Sequence, residues 1–189
     1  MTRIVLGFPA VRGEPDPLFG ALAAHWRRHG LDVVPVALDG DGDAIDARYL
    51  AAVDGMETPV LGGFSAAARA AARISRQRPT AALLCLGHPF HRRGVPGDRH
   101  GWDELAEVRV PTLVVQGTRD PHGSREAVRG FGPLPQGVEV VWIEDGNHRF
   151  MPRERSGRSE AESIRTAADV GAEFLLQFVD PRAGAITPS

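Results

Sequence analysis

Short, near-continuous apolar runs alternate along this chain with longer stretches in which apolar residues recur at helical spacing. Arg3 to Gly7, Leu31 to Val36, Thr58 to Gly62, Ala81 to Leu86, Pro111 to Gln116 and Val138 to Ile143 read as strands. Asp16-Pro17 supplies an N-cap and a first-turn proline for a helix that Gly30 closes. After the turn-rich Asp39-Gly40-Asp41-Gly42-Asp43, a second helix runs through Ala47 to Val53, and a third runs from Ala66 to about Arg78. Short helices are expected around Trp102 to Glu107 and Ser124 to Arg129, and a long amphipathic one over Glu160 to Val179. Residues 1–180 are expected to form one domain, and residues 181–189 a disordered tail.

Strands with no polar side belong to a parallel sheet covered by helices on both faces, which makes this an α/β chain with a doubly wound six-stranded parallel sheet. Such sheets bind ligands beyond the carboxyl ends of their strands, so the residues just past each strand are the informative ones. Past the third strand stands Gly62-Gly63-Phe64-Ser65-Ala66-Ala67. A nucleophile elbow needs small residues two positions either side of a serine held in a sharp strand-to-helix turn, and Gly63 and Ala67 meet that need. The backbone N–H of Ala66 would then face a developing oxyanion at a helix N-terminus. The bland alternative makes Ser65 an ordinary helix N-cap.

Asp120 follows the fifth strand in Gln116-Gly117-Thr118-Arg119-Asp120-Pro121, and His148 follows the sixth in Glu144-Asp145-Gly146-Asn147-His148. Ser65, Asp120 and His148 thus occur in the chain order Ser, Asp, His, each in a loop just past a parallel strand, so the three should converge at one edge of the sheet.

Composition narrows the field. The chain has 189 residues and a formal net charge of −2, with 42% apolar and 24% charged residues, which describes a soluble globular domain. No apolar run approaches the ~20 residues that span a bilayer, and the start carries no signal-peptide pattern, so a cytoplasmic protein with no membrane partner is expected. The near-neutral balance argues against nucleic acid, and Cys85, the single cysteine, reads as a small core residue. All 22 basic residues are arginine, which excludes lysine Schiff-base and P-loop chemistry; the Arg and Ala bias fits a bacterial genome rich in G+C.

The runs Val110 to Pro121, Leu86-Gly87-His88-Pro89-Phe90-His91 and Asp145-Gly146-Asn147-His148 resemble small dienelactone-hydrolase-like α/β-hydrolases. The branch they resemble includes the hydrolase-like domain of a subunit of the non-specific-lethal histone acetyltransferase complex, its testis-expressed relatives and many bacterial proteins. The resemblance covers roughly residues 3 to 179. It implies a minimal hydrolase core of strand order 2-1-3-4-5-6, lacking the two N-terminal edge strands and the lid domain of larger relatives. It also implies Ser65 as nucleophile, Asp120 as acid and His148 as base, acting on a small-molecule ester or related acyl substrate without a cofactor.

Two departures stand out. Phe64 precedes Ser65 where relatives often carry lysine, and Gly7-Phe8-Pro9-Ala10 replaces a His-Gly-Ala-Gly type run that donates the second oxyanion N–H. Pro9 has no N–H to give, so that donor must be Phe8 or Ala10.

Phe64, His88, Phe90, His91 and His122 are expected to line an open entrance. His88 and His91 lack a third ligand at metal spacing, so no metal is expected. Asp39, Asp41 and Asp43 imitate a calcium loop, but Ala44 stands where that loop needs glycine and Leu50 where it needs glutamate. Arg69, Arg73 and Arg76 read as the wet face of the third helix, and His25 and His29 as the polar side of the first. Three functions remain open: a serine hydrolase, a binding module with an anion site at the helix after Gly62-Gly63, and a hydrolase-fold interaction protein that has lost catalysis. A homodimer is compatible with the sequence and not required by it.

Overall fold

The computed structural model describes residues 2–9, 16–38, 40, 42–95 and 97–179. The expected tail, the Pro/Gly-rich loop that includes Ala10, and Asp39 and Asp41 of the turn-rich loop lie outside the described residues. Strands β1 (Ile4–Pro9), β2 (Val33–Leu38), β3 (Val60–Phe64), β4 (Ala82–Leu86), β5 (Thr112–Gly117) and β6 (Val138–Ile143) form one parallel sheet in the order β2-β1-β3-β4-β5-β6. The order is the expected one. The four inner strands are buried nearly throughout, whereas the edge strands β2 and β6 keep partly exposed positions because each has a neighbour on one side only.

Helices α1 (Pro17–Arg28) and α6 (Glu160–Leu175) cover one face, where Leu18, Leu22, Trp26, Ala168 and Leu175 pack on Ile4, Leu6, Leu84 and Leu113. Helices α2 (Gly42–Ala52), α3 (Ala66–Ser75), α4 (His100–Ala106) and α5 (Arg125–Gly130) follow in the chain, and α2, α3 and α4 supply Tyr49, Ala68, Ala71, Ile74, Trp102 and Leu105 to the core of the other face. Local chemistry sets the ends. The Asp16 carboxylate accepts from the Leu18 N–H at 2.9 Å with Pro17 at the first position, and Gly30 turns the chain away at φ 73°. Ser159 and Glu162 form a capping box at the start of α6. Helix α2 begins earlier than its apolar pattern suggested, and a 3-10 turn over Glu154–Ser156 was not expected at all.

Helix α3 lies tightly on the sheet because Ala67, Ala68, Ala70, Ala71 and Ala72 present only methyl groups to it. Its arginines are not simply solvated. Arg69 makes a two-pronged contact with Glu104 of α4 at 2.7 and 2.8 Å, and Arg73 reaches both Asp46 of α2 and Glu104, so three helices are joined by one half-buried network. Arg76 pairs with Glu107. Beneath the network the buried Tyr49 hydroxyl accepts from the Gly62 N–H at 2.9 Å and faces the Gly62 and Val5 carbonyls at 2.6 and 2.7 Å, so it can donate its one proton to either carbonyl. This ties α2 to the strand that carries the candidate nucleophile. Cys85 is buried in β4, where desolvation pushes its thiol up to about 12, as befits a core residue.

Candidate active site

Ser65 is held in a conformation that most residues avoid, with φ 58° and ψ −123°. Its N–H donates to the Leu86 carbonyl at 3.0 Å, and its carbonyl accepts from the Ala68 N–H at 3.0 Å, so strand and helix fix the turn from both sides. Its side chain makes no capping bond to α3, which removes the reading of Ser65 as an ordinary N-cap. The small flanking residues are sterically required. A Cβ on Gly63 would come within 2.6 Å of the Gly7 carbonyl oxygen and 2.8 Å of the Ala67 Cβ.

The freed hydroxyl points at His148, whose Nε2 is 3.0 Å from Ser65 Oγ, while its Nδ1 is 2.8 Å from Asp120 Oδ2. Residues far apart in the chain thus form one hydrogen-bonded line. Asp120 is buried, with a carboxylate oxygen also accepting from Gln116 Nε2 at 2.9 Å and the other accepting from the His122 N–H at 2.8 Å. Gln116 itself donates toward the His88 and Gly123 carbonyls, which locks its amide in place. Its role was missed at the sequence level, although a polar residue closing the apolar strand Leu113-Val114-Val115-Gln116 was the available signal.

The loop carrying His148 is braced on several sides. Asp145, at φ 58°, receives the Arg153 backbone N–H at 2.7 Å and the Arg153 guanidinium, which hold its carboxyl down at about 2, and its own N–H donates to Thr118 Oγ1 at 2.9 Å. Gly117 is needed because a Cβ there would overlap the Gly146 and Asn147 carbonyl oxygens. Arg149 forms a bidentate pair with Asp16 at 2.6 Å on both prongs, joining this loop to the start of α1. Burial pushes the Asp16 carboxyl up, but the Arg149 bonds and the Leu18 N–H outweigh it and leave it below its ordinary value. Nothing in the sequence pairs residues so distant.

Phe64 and His122 flank the imidazole, each with its ring centroid 4.9 Å from that of His148. His122 is lowered from its ordinary value, first by desolvation and then by His148. On the α1 side of Phe64, a narrow apolar recess is lined by Phe8, Leu18, Phe19, Leu22 and Leu86, together with Asp16. Phe8, next to last in β1, has its ring stacked on Phe19 at 4.5 Å, and Ala66 starts α3 with a first-turn N–H that has no intrahelical acceptor.

Three of the expected entrance residues lie elsewhere. His88 and Phe90 have no exposed surface and His91 almost none, so they cannot line an opening. Phe90 packs against Trp102, and His91 donates its N–H to the His122 carbonyl, supporting that residue from below. The physical reason is that the connection after β4 folds inward over α4 instead of outward over the site, with the Trp102 N–H bonded to the Phe90 carbonyl.

His88 donates from Nε2 to the Gly101 carbonyl at 3.1 Å, and desolvation lowers its pKa to about 4. An unfolded histidine titrates near 6.5, so between about pH 6.5 and 4 the unfolded chain binds a proton that the folded one refuses. Stability is therefore lost as pH falls through that window, by on the order of 3 kcal/mol from this residue. Urea denaturation at pH 7 and pH 4.5 is expected to show a smaller acid loss for His88→Gln than for wild type. Equal losses would assign the acid sensitivity to other groups. Asp16 and Glu104, whose pKa values lie below their ordinary range, contribute stability that is lost only at lower pH.

Comparison with known proteins agrees with this architecture. A family model described as an alpha/beta hydrolase domain matches residues 42–176. No curated protein sequence matches the chain. Among solved structures, Est1E from Butyrivibrio proteoclasticus superposes with a TM-score of 0.69 at 14% identity, over 93% of this chain and 88% of its own. Dienelactone hydrolase from Anabaena variabilis gives 0.68 at 17%, over 95% and 88%. An alpha-beta serine hydrolase homologue from Coxiella burnetii gives 0.62 at 18%, over 93% and 87%. At such identities the likeness establishes the fold, and with the match over most of the sequence the chain belongs to the alpha/beta hydrolase domain family.

Proposed function

We propose that this protein is a serine hydrolase acting on a small ester or related acyl substrate. The observation that carries the proposal is the continuous line from Ser65 Oγ through both His148 nitrogens to Asp120, with distances of 3.0 and 2.8 Å. His148 takes the Ser65 proton as the oxygen attacks the acyl carbon, and Asp120 fixes the imidazole tautomer and stabilises the imidazolium. The tetrahedral oxyanion is met by the Ala66 N–H at the start of α3 and by a second donor on the β1 side, the Phe8 N–H. His148 returns the proton to the leaving group, and water activated by the same imidazole releases the acyl group. Phe64, His122 and the recess beside Phe8 and Leu86 favour a small apolar acyl or alcohol group.

The sequence run around Asp120 supports placing the chain in the branch with the hydrolase-like domain of the acetyltransferase-complex subunit. Neither a cofactor nor a nucleic acid enters the proposed reaction.

Labelling with a fluorophosphonate is the direct test. Wild type is expected to gain one adduct by intact mass, mapped to Ser65, and Ser65→Ala to gain none. Folded wild type that takes no label overturns the proposal, leaving a binding or interaction role on the same fold.

A further inference from the structure

Away from Ser65, helices α1 and α6 bring three side chains with metal-binding chemistry together at the surface. His25 stands on α1 and His29 caps it one turn later, a spacing that puts two imidazoles on one helix face, with ring centroids 5.0 Å apart. Asp169 of α6 faces them, with Oδ1 2.7 Å from His25 Nε2. One ligand atom from each of the three residues falls within 4.8 Å of the others. We infer that His25, His29 and Asp169 form a binding site for a divalent transition-metal ion of the zinc type. The inference is independent of the proposed hydrolase activity.

Three further observations support the site. The frame is already rigid: Trp26, next to His25, donates from Nε1 to the carbonyl of Ala168, next to Asp169, at 2.9 Å. Gly171 lets the helices approach so closely that a Cβ there would lie 3.0 Å from the Trp26 ring. Among the described residues, buried His25 Nε2 finds no hydrogen bond of good geometry, even though the Asp169 oxygen is so near, and a bridging cation would satisfy both atoms. The carbonyl end of α1 also favours positive charge at this point.

Two imidazoles and a carboxylate suit Zn²⁺, Co²⁺ or Ni²⁺, with water completing the coordination; Ca²⁺ and Mg²⁺ prefer oxygen throughout. Binding requires a change of tautomer. Arg28 donates to His25 Nδ1 at 3.0 Å, so Nε2 carries the hydrogen. For Nε2 to bind a metal, the ring proton must shift from Nε2 to Nδ1, with no net proton released, and the Arg28 guanidinium must swing out. The bound ion would clamp α6 onto α1.

The test is titration of the full chain with ZnCl₂ by calorimetry and with CoCl₂ by visible absorption, alongside thermal melts. Wild type is expected to bind one equivalent at this site and to melt higher with Zn²⁺. His29→Ala and Asp169→Asn change exposed side chains, so both should fold, as circular dichroism would verify. Each should weaken binding at least ~10-fold, since even groups that only orient metal ligands cost 10- to 100-fold. His148→Ala should bind as wild type does. Absence of saturable uptake up to millimolar Zn²⁺, uptake unchanged in His29→Ala, or uptake lost in His148→Ala would each overturn the inference.

Discussion

His148→Ala is expected to lower kcat for an activated ester such as p-nitrophenyl acetate by about 10⁶-fold, the scale seen when a triad histidine is removed. Every proton movement in the proposed cycle passes through this ring, because Nε2 lies at hydrogen-bonding distance from Ser65 Oγ and Nδ1 is tied to Asp120. The neighbouring His122 is poorly placed to substitute. Its backbone, not its ring, bonds Asp120, and burial beside His148 lowers its basicity. Ser65→Ala should cost about as much, and the double variant little more, since residues acting as one unit are not additive. Asp120→Asn should cost about 10⁴-fold through the wrong imidazole tautomer. The readouts are acylation by stopped flow and steady-state turnover. A loss below tenfold in His148→Ala would remove this imidazole from the chemistry.

Gly62→Ala is expected to destabilise the protein by at least about 3 kcal/mol, at the severe end of overpacking changes. A Cβ at this position would overlap the Leu84 carbonyl oxygen and come within 2.7 Å of Leu6 Cδ2. The obstructing oxygen is backbone of the adjacent strand, so no rotamer change relieves it; β3 must part from β4 or from Tyr49. The fully buried Tyr49 hydroxyl, which receives the Gly62 N–H, would lose that partner. For a domain of this size each kcal/mol lowers Tm by about 2–4 °C, so the melting point should drop by roughly 10 °C. A drop under 2 °C would mean that the sheet accommodates the methyl freely. Gly20→Ala is a suitable control, since among the described residues a Cβ there meets nothing within 4 Å.

Much of the candidate site was legible because a sharp strand-to-helix elbow and the loops past parallel strands place strong local demands on sequence. A serine between Gly63 and Ala67 at a strand-helix junction, an aspartate past β5 and a histidine past β6 are marks that survive without coordinates. Gln116, Asp16, Arg149 and Asp145 act through partners that are distant in the chain or specified by a loop's path, and no periodicity encodes such pairs. The assignment of His88, Phe90 and His91 to an entrance failed for the related reason that polarity does not say which way a connection folds. His88 is polar in type, yet its ring lies in apolar surroundings with a single carbonyl for its proton. His25 and His29 looked like a solvated face because the residue that gives them meaning, Asp169, belongs to the last helix.

By itself, the sequence determined the alternation of strands and helices, the parallel sheet, its strand order through family resemblance, and the placing of Ser65, Asp120 and His148 just past β3, β5 and β6. Apolar runs without a polar side can be satisfied only between two layers of helices, and a strained elbow tolerates few residues around its serine. Only the tertiary structure decided that the three side chains meet at bonding distance, that Phe64 and His122 flank them while His88, Phe90 and His91 are buried beneath, and that the arginines of α3 bind three helices together. Those outcomes depend on how helices pack on the sheet and on where buried polar groups find partners. Both are properties of the whole packed chain and leave little trace in any short stretch of it.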